Sequence, residues 1–367
     1  MSELYAARRT RLRDRVAGAG SAAALISRPA NVRYLTGCAP PGAALLLGPA
    51  DEVLLCGRPL SGDPAEGRPP TTYGCRCCRP VAATRWWPAP TSPRRRRGLL
   101  AVEEHHLTVT RHRALSQVAP RLRLTDLACA VEGQRLVKDD DEIACLRIAA
   151  EIADQALGEL LESILVGRTE RHLALELERR LVDHGADGPA FPTSVATGPN
   201  AGRPGHLPTD RRVEEGDFLS VCLGANYRGY RCEIGRTFVI GTTPSDWQIE
   251  LYDLVFAAQR AGREALAPGV ECREVDRVTR HVLDAAGYGE RLGAWTGHGV
   301  GLEIDEDPQL SPAAMGKLDA CVPVTVEPGV HIPGRGGVRI DDTLVVRPEA
   351  DGGPELLTIT TKELLAL

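Results

Sequence analysis

The pattern of apolar residues changes near residues 130–140, and this change restricts the available folds more than any other feature. Before it, short apolar runs of β type accompany brief helical stretches. After it, apolar residues recur at helical spacing from Ile143 to Ala156, which predicts one long amphipathic helix. A chain of 367 residues is also too long for one ordinary hydrophobic core. We therefore predict two domains, residues 1–135 and residues 136–367, in a mixed α/β (α+β) fold.

Local patterns place further elements in both domains. In the first domain the β-type runs and helical stretches lie at 23–27, 42–49, 52–57 and 98–105, and near 3–17 and 109–118. In the second, Thr169 has the features of a helix N-cap with Glu170 in the first turn, and two more helices lie near 245–266 and 272–286. Residues 58–97, which include Cys75, Cys77 and Cys78, have weak periodicity, which predicts a long loop or irregular insertion.

The charge and the hydrophobic pattern exclude several classes of protein. The net charge is −5, and because 41 of the 44 basic residues are Arg, the Arg content reflects genome composition rather than a nucleic-acid partner. No apolar stretch approaches the ~20 residues that a membrane span requires. The N-terminus is polar and lacks the apolar region of a secretory signal. We therefore expect a cytoplasmic protein that binds neither nucleic acid nor membrane.

One hairpin carries two candidate ligands. The stretch CLGANYRGYRCEIGRT, residues 222–237, has two short apolar runs around an Asn/Tyr/Arg/Gly turn. In an antiparallel hairpin, directly paired residue numbers sum to a constant. A turn centred on Tyr227 and Arg228 places Cys222 opposite Glu233, with Cys232 on the other face of the sheet.

Three more polar residues follow at the ends of β-type runs, each beside Gly or Pro. They are His298 in GHGVGLEIDEDP, Glu327 in VTVEPGVHIPG and Asp341 in GGVRIDD. Together with Cys222 and Glu233 they are able to converge on one or two divalent ions. A thiolate, an imidazole and carboxylates form a donor set that suits zinc better than manganese.

These residues lie in motifs that resemble the pita-bread superfamily of prolidase, aminopeptidase P, methionine aminopeptidase and creatinase. NVRYLTG resembles a motif in the N-terminal domain of prolidases, and KDDDEIACLRIAAEIADQAL resembles the start of their catalytic domain. FPTSVATGPNAGRPGHLPTDRRVEEGD, GHGVGLEIDEDP and VTVEPGVHIPGRGGVRIDDTLVV resemble successive family signatures in order. The resemblance implies a smaller creatinase-type N-terminal α/β domain followed by a C-terminal pita-bread domain, and a homodimer.

The sequence departs from the family pattern at the metal-ligand and catalytic positions. Peptidases of the family use Asp, Asp, His, Glu and Glu as ligands of a two-metal centre. The matching positions here are Cys222, Glu233, His298, Glu327 and Asp341. Three histidines of the family are also replaced: Gly205 takes the place of the first, with His206 next to it, Ala294 the second, and Asp305 of the pair Asp305–Glu306 the third. The resemblance therefore implies a diverged metal site that disfavours ordinary Xaa-Pro cleavage.

Our principal hypothesis is a repurposed enzyme that acts on a small amino-acid, amide or guanidino substrate by breaking or rearranging a C–N bond. Its candidate catalytic residues are His206, His298, Glu327, Asp305 and Glu306. Its candidate substrate-binding residues are Glu233, Arg339 and Asp341, with Arg339 expected to hold a substrate carboxylate. A packed group of carboxylates repels itself, so this hypothesis also predicts a cation, either bound or supplied by the ligand.

Three alternatives remain open from the sequence. The cofactor is either absent or one divalent metal. In the first alternative the site keeps one divalent ion, zinc in preference to manganese, on Cys222, His298 and carboxylates, and the protein is a metallopeptidase with relaxed ligands. In the second alternative the chain has lost catalysis and binds peptides. In the third, Cys222 acts as a nucleophile with His298 as its base.

Overall fold

The computed structural model describes residues 3–55, 98–163 and 165–367, and it divides into two compact units, Met1–Arg135 and Leu136–Leu367. The predicted insertion at 58–97, with Cys75, Cys77 and Cys78, lies outside the described residues. Across the part of the chain that is described, the helices do not combine the length and the hydrophobicity that a membrane span requires.

The described residues of the N-terminal unit, 3–55 and 98–135, contain one five-stranded mixed sheet. Its elements are α1 Glu3–Gly18, β1 Ala23–Ile26, α2 Pro29–Thr36, β2 Ala44–Leu47, β3 Glu52–Leu55, β4 Leu99–Val102, α3 Val109–Val118, β5 Arg123–Asp126 and α4 Glu132–Arg135. The strand order is β3-β2-β1-β4-β5; β4 runs parallel to β1 and β5, and β2 antiparallel to β1 and β3. Alternate strand residues such as Ala24 and Ile26 are fully buried, as expected of a strand with one face on a core.

The part of the second unit that the structure describes contains four longer helices. They are α5 Asp140–Leu161, α6 Glu170–Asp183, α7 Asp246–Glu264 and α8 Cys272–Ala285. Asp139 and Glu142 form a capping box that begins α5, and Thr169 caps α6 by accepting a hydrogen bond from the backbone N–H of His172, which confirms the predicted N-cap. The apolar stripe of α5, from Ile143 to Leu160, packs with α6 and with strands into one buried cluster.

The strands of this unit pair antiparallel throughout the described residues. They are β6 Gly188–Pro189, β7 Ser194–Thr197, β8 Phe218–Leu223, β9 Ala225–Tyr227, β10 Tyr230–Arg231, β11 Ile234–Val239, β12 Gly297–Gly299, β13 Glu306–Leu310, β14 Pro323–Val326, β15 Gly329–Ile332, β16 Gly336–Arg339, β17 Asp342–Val345 and β18 Glu355–Leu356. They form the sheets β11-β8-β7, β10-β9-β6, β13-β12-β14-β17-β18 and β15-β16. An isolated bridge between Gly235 and Asp341 connects β11 to the chain between β16 and β17.

The predicted register of the central hairpin is wrong by two residues. Tyr227 pairs with Tyr230, so the turn consists of Arg228 and Gly229, both with positive φ (50° and 85°). Such a turn favours Gly, and Gly229 therefore moves its centre one residue along the chain. Cys222 pairs directly with Gly235 rather than with Glu233. A shift of two keeps every side chain on its face, so Cys222 and Glu233 are still neighbours, now diagonal ones.

Candidate metal centre

The structure brings all five predicted ligands together. Cys222 lies on β8, Glu233 directly before β11, His298 on β12, Glu327 directly after β14, and Asp341 between β16 and β17. Each is at most 9% exposed, and Asp341 is completely buried. The positions at strand ends hold these side chains firmly because the neighbouring backbone is fixed by the sheet.

The ligands form two groups of three that share Glu233. In one group are Cys222, Glu233 and Asp341, and in the other Glu233, His298 and Glu327; within each, the ligand atoms lie within 4.8 Å of one another. Glu233 Oε1 accepts a hydrogen bond from Cys222 Sγ at 3.1 Å, and its Oε2 lies 3.5 Å from His298 Nε2. Glu233 therefore connects the two groups, and Cys222 and His298 belong to different ones.

Arg339 supplies a cation to this cluster from within the chain. Its NH2 group donates to Glu233 Oε1 at 3.0 Å and also to Glu327 Oε2, and its Nε donates to Asp341 Oδ1 at 2.9 Å. Three carboxylates of the protein thus engage the guanidinium in this structure, and the expected role of Arg339, binding a substrate carboxylate, stays a prediction. The strand period of two, which places Arg339 and Asp341 on the same side, is the sequence signal for this contact.

The local charges move the pKa values of these groups apart. Burial alone would lower the pKa of His298, but its hydrogen bond to Glu233 and the charges of Glu327 and Glu233 raise it to about 9. Burial opposes ionisation of Glu233, yet the His298 hydrogen bond and Arg339 lower its pKa to about 2. Burial raises the pKa of Glu327 to about 7 and also raises that of Asp341. Protonated His298 and Arg339 are thus the cations that the packed carboxylates require.

Asp305 and Glu306, predicted together as catalytic residues, have different surroundings. Asp305 Oδ1 lies 3.3 Å from His298 Nε2, and its side chain is 65% exposed, so it stands between the buried site and solvent. Glu306 instead forms a buried ion pair, its Oε2 accepting from Lys138 Nζ at 3.1 Å, while its Oε1 accepts from the backbone N–H of Glu303. Asp305 therefore lies at the site, whereas Glu306 is engaged by Lys138 within the fold, and a catalytic role for either stays a prediction.

His206 is bound to a buried carboxylate that the sequence did not single out for this purpose. Its Nε2 lies 2.9 Å from Glu170 Oε2, and Glu170 is completely buried at the start of α6. Glu170 also accepts hydrogen bonds from Thr197, Asn200 and Thr209 and so fixes the loop between β7 and β8. Glu170 thus holds the ring of His206 through Nε2, and the role of His206 as a replacement for a catalytic histidine stays a prediction.

The environment of Cys222 argues against a nucleophilic role. Burial, and then the charge of Glu233, raises the pKa of the Cys222 thiol well above its usual value. A cysteine nucleophile needs the opposite, a lowered pKa that favours the thiolate. The raised pKa does not favour a Cys222–His298 nucleophile and base, and this hypothesis stays a prediction.

The donor set does fit a divalent ion. Among the described residues, Asp341 Oδ2 is a buried oxygen that accepts no hydrogen bond, although Arg339 Nε lies 2.8 Å away. His298 Nδ1 lies 3.1 Å from the backbone oxygen of Gly299, which fixes the ring and leaves Nε2 directed at the carboxylates. A thiol, an imidazole and buried carboxylates match the ligands of zinc.

Comparisons with known proteins agree with this architecture. Residues 144–348 match the metallopeptidase family M24, and residues 8–137 match the creatinase/prolidase N-terminal domain. The chain is 32% identical over 342 residues to the Xaa-Pro dipeptidase of Pyrococcus furiosus, spanning 93% of this chain and 94% of that protein. It is 38% identical over 268 residues to the uncharacterized peptidase YqhT of Bacillus subtilis, spanning 73% and 75% of the two chains.

A solved structure shows the same likeness over the whole chain. The Xaa-Pro dipeptidase from Bacillus anthracis superposes with a TM-score of 0.87 at 29% sequence identity, and the match covers 99% of this chain and 100% of that one. The matches confirm the predicted fold, a creatinase-type N-terminal α/β domain followed by a pita-bread domain.

Proposed function

Because the chain belongs to metallopeptidase family M24, we propose that it is a metal-dependent hydrolase that cleaves an amide or peptide bond in a small substrate carrying a free amino group. The observation that carries this proposal is the position of Glu233, whose two oxygens face Cys222 on one side and His298 on the other. A buried carboxylate placed in this way joins two sets of donor atoms into one centre.

Cys222, Glu233 and Asp341 would hold a divalent ion, with His298 and Glu327 on the other side of Glu233. When bound, such an ion supplies Lewis acidity and lowers the pKa of a coordinated water. Zinc is the ion that this donor set favours, since a thiolate is among the ligands.

His298 and Asp305 provide a path for a proton. His298 Nε2 faces Glu233, Glu327 and Asp305 at 3.3 to 3.6 Å. Its raised pKa keeps a proton on this nitrogen at neutral pH in the protein alone. The exposed carboxylate of Asp305 connects this proton to solvent, and whenever Nε2 holds an ion instead, Asp305 is the residue beside the site that is left to move a proton. The same carboxylate at the entrance attracts a substrate ammonium group.

One observation favours a second function. The carboxylates already surround a guanidinium, that of Arg339, and their charge is partly neutralised by it and by His298. A site with these contacts suits a metal-free hydrolase for a guanidino or amidino substrate, whose cationic group would bind to the same carboxylates.

Metal analysis combined with two cysteine variants tests the proposal. Cys222 and Cys232 lie on the same hairpin but on opposite faces, and Cys232 packs in the apolar cluster with α5. We expect near-stoichiometric zinc and hydrolysis of Xaa-Pro dipeptides in the wild type and in Cys232→Ala, and loss of both in Cys222→Ala. Guanidino hydrolysis by metal-free protein would support the second function instead. Peptide binding with neither metal nor turnover would overturn both and support a binding protein.

A further inference from the structure

Cys222, Gly235 and Asp341 form a row across neighbouring chain segments. Gly235 pairs directly with Cys222 between β11 and β8. On its other side Gly235 exchanges two backbone hydrogen bonds with Asp341, from Gly235 N to Asp341 O at 3.1 Å and from Asp341 N to Gly235 O at 3.0 Å. The glycine therefore lies between the thiol-bearing residue and the carboxylate-bearing residue of one ligand group.

The Asp341 carboxylate occupies the space that a side chain at position 235 would need. A Cβ atom built on Gly235 would lie 2.1 Å from Asp341 Oδ2, 2.5 Å from its Cγ and 3.0 Å from its Cβ. Gly235 is not among the glycines with positive φ. The glycine is thus required here for room and not for backbone conformation.

The space left by the missing side chain of Gly235 determines which donor atoms lie close together. With the carboxylate lying over Gly235, one Asp341 oxygen comes within 4.8 Å of Cys222 Sγ and of one Glu233 oxygen. Any Cβ at position 235 would push the carboxylate away from this group, and because Asp341 is completely buried, it has no solvent-filled space to move into.

We propose that Gly235 is a positioning residue of the metal centre: by placing Asp341 beside the Cys222 thiol it completes a compact site for one thiophilic divalent ion. This inference rests on the proposed function only in that the centre holds a divalent ion. A hard ion such as manganese gains nothing from a thiolate ligand, whereas zinc and cobalt bind it well.

Cobalt and zinc binding to chelator-treated protein test the proposal without an activity assay. We expect a near-ultraviolet thiolate-to-cobalt absorption band in the wild type and a strong preference for zinc over manganese. Gly235→Ala should weaken zinc binding by about 10- to 100-fold and reduce the band, as removal of a positioning contact does at metal sites. Gly158→Ala, on α5 with no atom within 4 Å of the added methyl, is the matched control and should change neither.

Two further variants separate positioning from folding. Gly235→Ala combined with Asp341→Ala removes the steric conflict, so it should recover thermal stability but not zinc affinity. Cys222→Ser keeps the shape of the site and should abolish both the cobalt band and the preference for zinc over manganese, whether or not Gly235→Ala folds.

The outcomes distinguish this inference from the proposed function. Stoichiometric cobalt without a thiolate band, or unchanged zinc affinity in folded Gly235→Ala, would overturn the inference while leaving a metal-dependent hydrolase intact. Failure of the wild type to bind any of the three ions would overturn the inference as well, and together with absent Xaa-Pro hydrolysis it would overturn the proposed function.

Discussion

Asp341 and Asp342 are adjacent in the chain and both completely buried, yet they lie in opposite environments. Asp342 Oδ1 accepts from Arg236 at 2.8 Å and from Thr358 at 2.9 Å, and its Oδ2 accepts from Gln259 at 2.7 Å and pairs with Lys362 at 3.0 Å. Asp341 shares one guanidinium with two glutamates, and its Oδ2 accepts no hydrogen bond among the described residues.

We call the first group the closed cluster (Arg236, Gln259, Asp342, Thr358 and Lys362) and the second the open cluster (Cys222, Glu233, His298, Glu327, Arg339 and Asp341). Burial alone would raise the pKa of Asp342, but Arg236 and Lys362 hold it below its usual value. Burial raises the pKa of Asp341, and the charges that would lower it do not compensate. A closed cluster stabilises the fold, whereas an open one retains donor atoms for a further cation.

The largest effect on stability should come from the closed cluster. Asp342→Asn leaves the completely buried guanidinium of Arg236 without its carboxylate, which should cost about 3–5 kcal/mol in the free energy of unfolding. Urea denaturation measures this loss. Glu274→Gln, which breaks an exposed pair with Arg277, is the control and should unfold like the wild type. A change for Asp342→Asn as small as that of the control would contradict the distinction between the clusters.

The corresponding change in the open cluster should separate stability from metal binding. Asp341→Asn removes one of several mutually repelling carboxylates, so chelator-treated protein should unfold within about 1 kcal/mol of the wild type. Its zinc affinity, measured by competition with a chromophoric chelator, should fall at least about tenfold, because a ligand atom is lost. A large loss of stability with unchanged zinc affinity would show that Asp341 belongs with the closed cluster.

The two clusters should also respond oppositely to pH in chelator-treated protein. The folded pKa of Asp342 lies below its usual 3.8, so its stabilisation is present above that pH and is lost as the pH falls. The folded pKa values of Glu327 and His298, about 7 and about 9, lie above the usual 4.5 and 6.5. Their contribution is therefore present at low pH and is lost as the pH rises through these values.

Thermal melting between pH 5 and 9 checks this expectation. We expect the melting temperature of the chelated wild type to fall with rising pH. Glu327→Gln should remove the part of the decline below about pH 7, and His298→Gln the part above it. A melting temperature that rises steadily over this range would show that the two groups titrate near their usual values.

The elements of the fold are largely visible in the sequence because they depend on local patterns. The helix predicted near 245–266 is Asp246–Glu264, and Thr169 caps α6 as its hydroxyl and the following Glu170 indicate. The hairpin register was harder to predict, since a turn moved by one residue preserves the apolar pattern on both faces. Only the preference of Gly229 for positive φ distinguishes the two registers.

The residues of the site can be predicted from the sequence, but the residues with which they form ion pairs cannot. Glu233, His298 and Asp341 stand out as polar residues at strand ends, and the structure brings them together. Which cation balances them depends on contacts between distant segments, such as that of Arg339 with Glu233, 106 residues apart in sequence. The same holds for Glu306, whose partner Lys138 lies 168 residues away. Neither pairing leaves a local pattern that a single sequence displays.

The smallest predicted effect on zinc binding and turnover concerns His206, whose ring contacts a further buried carboxylate, that of Glu170. His206→Ala removes one hydrogen bond to Glu170, but Thr209 still donates to the same oxygen from its backbone N–H and hydroxyl, at 2.9 and 2.6 Å. The free energy of unfolding should therefore fall by only about 1–2 kcal/mol. Glu170→Ala, which releases all of these donors, should cost more. If His206 only supports the loop, zinc content and kcat/KM should stay close to wild type in His206→Ala. A large fall in kcat at unchanged zinc content would show that His206 takes part in the reaction.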